Sequence, residues 1–177
     1  MTISKIDIMR TLFIAITLIS TIGLNAQKVQ WLSWDDAVAL SKSEASPKKV
    51  FVDVYTDWCG WCKKMDKDTF QNPEVAQYMQ ENFYMVKFNA EGKEPIEFDG
   101  RTFEYVPSGR RGYHQLAAAL LQNRLSYPTV VFLDENMKML SPVPGYQKVQ
   151  PFMQIAKYFG ENIYKEQDWK SYSGIGK

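Results

Sequence analysis

Cysteine occurs only twice and histidine only once in these 177 residues. A structural zinc site takes four Cys, His or carboxylate ligands. Cys59, Cys62 and His114 supply three, so a zinc would have to borrow a carboxylate. Nor is there a further cysteine pair to build a separate structural bridge or relay electrons within the chain. No apolar run reaches the roughly 18–20 residues that cross a bilayer as a helix. Neither sign of charge predominates, with a formal net charge of +1, so neither nucleic acid nor a strongly acidic surface is indicated as a partner. A glycine-rich phosphate loop, internal repeats and low-complexity tracts are also missing.

What is present begins with a targeting pattern. Lys5 and Arg10 precede the apolar stretch from Thr11 to Leu24, and Leu24-Asn25-Ala26 ends on a small residue. That is the order of an export signal cleaved after Ala26, with an N-terminal membrane anchor as the alternative. No cysteine lies at the cleavage point to carry a lipid. Cleavage removes Lys5, Arg10 and Asp7 and leaves 19 basic and 19 acidic residues. The expected organisation is a signal peptide over 1–26, one folded domain over 27–165 and a flexible polar tail over 166–177. The expected location is periplasmic or secreted, an oxidising setting in which two cysteines can cycle between dithiol and disulfide.

The stretch from Phe51 to Met65 organises the chain. Val50–Tyr55 is an apolar, β-prone run, and Cys62–Asp68 is helix-prone. The Cys-x-x-Cys pair therefore sits where a strand hands over to a helix. There the first sulfur lies beside free backbone N–H groups and the positive end of the helix dipole, which favour thiolate. Helical spacing keeps both sulfurs on one face, close enough to close a disulfide. A structural bridge closing so short a loop stabilises little, so the pair reads as redox-active. Asp53 interrupts the apolar run. It is either buried with a partner or a task, or solvated on a bulged or edge strand.

Ser33 and Asp36 form a capping-box pattern for a first helix, and Asn72-Pro73 restarts a helix after Phe70. Tyr84–Asn89 is a second strand, apolar except for Lys87, which makes a parallel strand–helix–strand crossover. Residues 91–112 are polar and irregular, with a hairpin signal at Asp99-Gly100 and a turn cluster at 108–112. Tyr113–Arg124 reads as a helix with His114, a surface or half-buried residue, near its start. Pro128 opens a strand over Val130–Leu133, which is antiparallel to Met139–Val143. Val149–Ile163 is a strongly amphipathic last helix.

This order resembles the thioredoxin fold from about Trp31 to Ile163, on Trp58-Cys59-Gly60-Trp61-Cys62-Lys63 and the later Tyr127-Pro128-Thr129. The resemblance implies an α/β fold: a central mixed β-sheet flanked by helices, here with a hairpin-containing insertion. It also assigns roles. Cys59 matches the attacking cysteine and Cys62 the resolving one. Asp53 matches a buried proton-handling aspartate, Lys87 its lysine partner, and Pro128 a cis-proline opposite the disulfide. Gly145 matches the glycine after the last strand. Trp58, Trp61, Tyr127 and Thr129 are then the expected substrate-binding positions. The Gly60-Trp61 dipeptide is similar to that of exported thiol:disulfide interchange proteins. The expected function is reduction of client-protein disulfides by a monomer that takes no cofactor or metal and no nucleic acid, and that receives electrons from a membrane thiol donor. A non-catalytic binding module and a Cu(I) chaperone are the alternatives.

Overall fold

The computed structural model describes residues 29–174, so the expected signal segment lies outside the described residues. The first helix, α1, is Trp34–Ser43, and Ser33 and Asp36 close the capping box at its start. Strand β1 is Lys49–Tyr55. Helix α2, Gly60–Met65, runs directly into a π-helical turn, Asp66–Phe70. Helix α3, Pro73–Asn82, is capped by the Asn72 side chain, and β2 is Phe83–Asn89. Four short strands follow: β3 (Ile96–Phe98), β4 (Arg101–Phe103), β5 (Tyr105–Ser108) and β6 (Arg111–His114). Then come α4 (Gln115–Leu120), β7 (Thr129–Leu133), β8 (Met139–Pro144), α5 (Val149–Gly160) and α6 (Trp169–Ser173).

The main sheet has the order β2-β1-β7-β8, with β1 parallel to β2 and antiparallel to β7. Because β1 has a strand on each side and helices on both faces, nearly all of it is buried, which is why its sequence is apolar almost throughout. Its period-2 alternation sorts the core. Val50, Val52 and Val54 point to the layer of Trp34, Ala37, Leu116 and Leu120 on α1 and α4. Phe51 points to the layer of Met65, Phe70, Met79, Phe152 and Phe159, and its ring meets Phe70, Phe132 and Phe152 at 5.4–5.6 Å. The same alternation puts Asp53 on the Phe51 face, beneath α2.

Both sheet edges are modified. Leu32 bridges β2 at Val86, giving its N–H to Met85 and accepting from Lys87. On β8 the Gly145 N–H donates to the Pro128 carbonyl. In the register that pairs Val143 with Val130, this turns the backbone nitrogens of Pro142 and Pro144 away from β7.

Three expectations need correction. The region expected to hold one hairpin holds two: β3–β4 turns at Asp99-Gly100, both at positive φ, and β5–β6 turns at Gly109-Arg110. The turn cluster at 108–112 is the tip and return of the second. Gly112 is required there, since an added Cβ would lie 2.3 Å from the Tyr105 ring and the Val106 carbonyl. The expected helix from Tyr113 is shortened to six residues, because 111–114 pair with β5 instead.

The third correction concerns the tail. Asp168 caps α6 by accepting from the Ser171 N–H, and the Trp169 and Tyr172 rings each sit 5.2 Å from that of Tyr158 on α5. Trp169 and Tyr158, together with Tyr164 and β8, line a cavity of about 530 Å³. Trp169→Ala is expected to cost about 1–2 kcal/mol, less than full burial would imply because the ring is only partly covered. The urea midpoint reads it, and no shift would show that α6 contributes nothing to the folded unit.

Candidate functional site

Cys59 and Cys62 form a disulfide at the end of β1 and the start of α2. Cys59 is the N-cap of α2, and its Sγ accepts the Cys62 N–H at 3.1 Å. One of the helix's orphan donors is thus aimed at the first sulfur, as the sequence position implies. The two cysteines are equally covered, each 4% exposed. What separates them is their surroundings. Cys62 helps to line a polar cavity of about 90 Å³ with Asp53, Tyr55, Thr56, Asp57, Lys63, Asp66 and Lys87.

Asp53 is 1% exposed, in the centre of the sheet, so the solvated-edge alternative is excluded. It stands opposite Lys87 in the β1–β2 register, and their charged groups are 3.7 Å apart, too long for a hydrogen bond. Lys87 lies closer to Asp66 Oδ2, at 3.2 Å, and over the Trp31 and Tyr55 rings at 4.9 and 5.4 Å. Burial pushes the Asp53 carboxyl up from 3.8 to about 7. The Lys87 charge pulls it back in part, and the Asp66 charge adds to the rise. Neither Asp53 oxygen has a hydrogen-bond partner among the described residues. Asp66 is the member of this group that the sequence reading missed. It lies four residues after Cys62, a spacing that shares a helical face and could have found it.

The Tyr127–Pro128 peptide is cis. Tyr127 meets the Trp58 ring edge-on at 6.0 Å, which brings this loop against the residue before Cys59. Trp58 and Trp61 are 51% and 59% exposed, the only largely exposed aromatics among the described residues. Trp61 lies 5.5 Å from the Tyr146 ring, and both line a groove of about 710 Å³ with Lys64, Asp68, Lys148, Val149, Gln150 and Pro151. Thr129, expected to bind substrate, is corrected: its side chain is buried and its Oγ1 donates to the Ser126 carbonyl, fastening the loop. Gly145 ties the other side of that loop through its bond to Pro128, at φ +91°, which a glycine tolerates.

His114 is also corrected. It is 1% exposed and caps α4: Nδ1 accepts the Leu116 N–H at 3.1 Å, and Nε2 lies 3.1 Å from the Glu94 carbonyl. Accepting at Nδ1 leaves the proton on Nε2 to donate to Glu94, and burial holds the ring below its ordinary 6.5, in the neutral form. With the His114 N–H donating to Ala90, it clamps the base of the two-hairpin insertion.

A mixed sheet with this order, a Cys-x-x-Cys at a strand–helix junction, and a buried aspartate–lysine pair beneath it define a thioredoxin-like thiol:disulfide interchange protein. The chain belongs to the family described as Thioredox_DsbH, protein of unknown function DUF255, whose model matches residues 22–159. Among curated relatives it is similar to the disulfide bond reductase DsbH of Chlamydia pneumoniae, 27% identical over 117 residues, covering 66% of this chain and 63% of that protein. It is also similar to human spermatogenesis-associated protein 20, 29% identical over 85 residues. That match takes in 48% of this chain but only 11% of the human protein. Two solved structures share the fold. A thioredoxin-fold protein from Helicobacter pylori gives a TM-score of 0.53 at 20% identity, over 73% of this chain and 81% of that one. A DsbH oxidoreductase gives 0.52 at 22%, over 76% and 85%.

Proposed function

We propose that this chain is an exported thiol:disulfide oxidoreductase that reduces disulfides in client proteins. The observation that carries the reading is the asymmetric setting of the Cys59–Cys62 disulfide: one sulfur faces a helix N–H, the other a cavity with a high-pKa carboxylate. Cys59 thiolate attacks a client sulfur, the client S–S bond breaks, and the departing client thiolate takes up a proton. Cys62 then gives its proton to Asp53 and attacks the Cys59 sulfur, releasing the second client thiol and restoring the protein disulfide. Two electrons pass from the dithiol to the client. A polar space of this size admits water, which gives the proton a path between the two groups.

In this reading the disulfide is the only redox group, and no cofactor or metal takes part. Pro128 takes the role of the proline opposite the disulfide that the family resemblance assigns it, and the loop around it receives an extended peptide segment. Lys87 steadies the Asp53 charge. Trp58, Trp61 and Tyr127 form the apolar surface on which a client segment rests. The protein acts as a monomer and is recharged by a membrane thiol donor, because these 177 residues hold no second cysteine pair to pass electrons to the first.

The Gly60-Trp61 dipeptide offers neither charge nor a histidine to stabilise the reduced thiolate, so the disulfide is favoured and the potential is low. Equilibration with glutathione is expected to give a value nearer about −270 mV than about −120 mV. A potential above about −180 mV would overturn the reductase direction. Absence of cysteine-dependent insulin reduction would overturn the oxidoreductase reading itself.

A further inference from the structure

The two exposed tryptophans flank the disulfide with similar groups that differ in charge. On one side Trp61 has Tyr146 beside it, and Lys64 lies over the Tyr146 ring at 5.8 Å. That cation is neutralised, because Lys64 is ion-paired with Asp68 one turn on. On the other side Trp58 has Tyr127 edge-on, and the Arg111 guanidinium lies over the indole at 4.4 Å. Arg111 is exposed, and among the described residues its side chain has neither an ion pair nor a hydrogen bond. Glu91 is nearby but occupies the indole's N–H edge, accepting from Trp58 Nε1 at 2.9 Å, and it makes no ion pair with Arg111.

A guanidinium held over an aromatic ring gives up little of its hydrogen-bonding capacity. The ring attracts the cation electrostatically, and the five N–H donors remain available for the two oxygens of a carboxylate. Arg111 is also well placed to be held there. It is the first residue of β6, paired with Ser108, and the strand ends at the clamp formed by His114 with Glu94 and Ala90. The insertion, which the basic fold does not need, therefore delivers one unneutralised cation to the Cys59 side of the redox site.

We propose that Arg111 is a specificity-determining residue: it takes the carboxylate of an Asp or Glu side chain next to the reacting cysteine of a client polypeptide. This rests on the thiol–disulfide reading above. An apolar neighbour on the client's other side lies in the groove of Trp61, Tyr146 and Val149, where Lys64 is already paired with Asp68.

The test compares the reduced protein's rate constants for two disulfide-closed synthetic peptides that differ only in Glu or Gln beside the reactive cysteine. The wild type is expected to prefer the Glu peptide about 5-fold at low salt, the size of one exposed charge pair, and to lose the preference as salt rises. Arg111→Gln brings the ratio to about 1, Arg111→Lys restores part of it, and Arg111→Glu turns the preference towards a Lys-bearing peptide. Arg110→Gln, one residue away and not stacked on Trp58, keeps the wild-type ratio. Equal slowing of both peptides by Arg111→Gln would show that Arg111 only props Trp58 and would overturn the proposal. So would an unchanged ratio in that variant, or a collapse in Arg110→Gln. Wild-type turnover without charge preference sinks this proposal alone, whereas no cysteine-dependent turnover of either peptide sinks the oxidoreductase reading with it.

Discussion

Replacing Cys59 by Ser is expected to reduce disulfide-reduction activity by more than about 10³-fold, while Cys62→Ser accumulates a protein–client mixed disulfide. Burial does not choose between the two sulfurs, since they are equally covered. The local donors do. Cys59 Sγ already accepts the Cys62 N–H, and this bond strengthens when the sulfur carries negative charge. Among the described residues no such donor is directed at Cys62, which lies among the carboxylates of Asp53, Asp57 and Asp66 and the cations of Lys63 and Lys87 rather than at a helix N–H. Cys59 is therefore the expected nucleophile, and Cys62 is expected to need a base before it can act. Brief iodoacetamide treatment of the reduced protein should modify Cys59 first. Preferential labelling of Cys62, or a trapped complex with Cys59→Ser rather than with Cys62→Ser, would reverse the roles.

Asp53→Asn is expected to stabilise the oxidised protein at pH 8 by about 2–4 kcal/mol and to leave its stability at pH 3.5 unchanged. The sign follows from the two protonation equilibria. In the unfolded chain Asp53 ionises near 3.8, whereas in the folded protein it does so at about 7. Below 3.8 both states hold the proton and the site costs nothing. Between the two values the folded state keeps a proton that the unfolded state has released, so stability falls as pH rises through this window, and it is level above it. The ceiling is about 1.4 kcal/mol for each unit of separation. Asparagine removes the titration and with it the penalty. The same change takes away the base for Cys62, so release of the mixed disulfide should slow about 10²-fold while its formation changes little. Urea titrations at the two pH values, with stopped-flow separation of the two steps, measure both effects. Equal slowing of both steps, or destabilisation at pH 8, would show that Asp53 serves only to hold the fold.

The sequence shows much of this site because its two strand charges interrupt a strong pattern. Asp53 and Lys87 stand out in runs that are otherwise apolar, and the strand register then sets them side by side. The caps at Ser33 and Asn72, and the Asp99-Gly100 turn, are short-range chemistry and are visible for the same reason. Asp66 is harder to see because it follows Lys63 and Lys64 in a charged helix, where one more carboxylate carries no contrast. His114 is obscured differently: its imidazole does the work more often done by Ser, Thr, Asp or Asn at a helix start. Polarity alone makes the tail look loose, although Asp168 followed by Ser171, with Trp169 and Tyr172 one turn apart, contains both a cap and an apolar stripe. The π-helical turn at Asp66–Phe70 has no sequence signal that distinguishes it from ordinary helix.

The two prolines on the outer rim of β8 bear on how such a molecule handles unfolded chains. A client with an unsatisfied disulfide also displays unpaired backbone, and an open sheet edge would invite it to add a strand. Along β8 the positions that would donate to such a newcomer are Pro142 and Pro144, which have no N–H to give. The opposite margin is already covered by the Leu32 segment. An extended chain that reaches these flanks therefore finds few free donors on which to build a ladder.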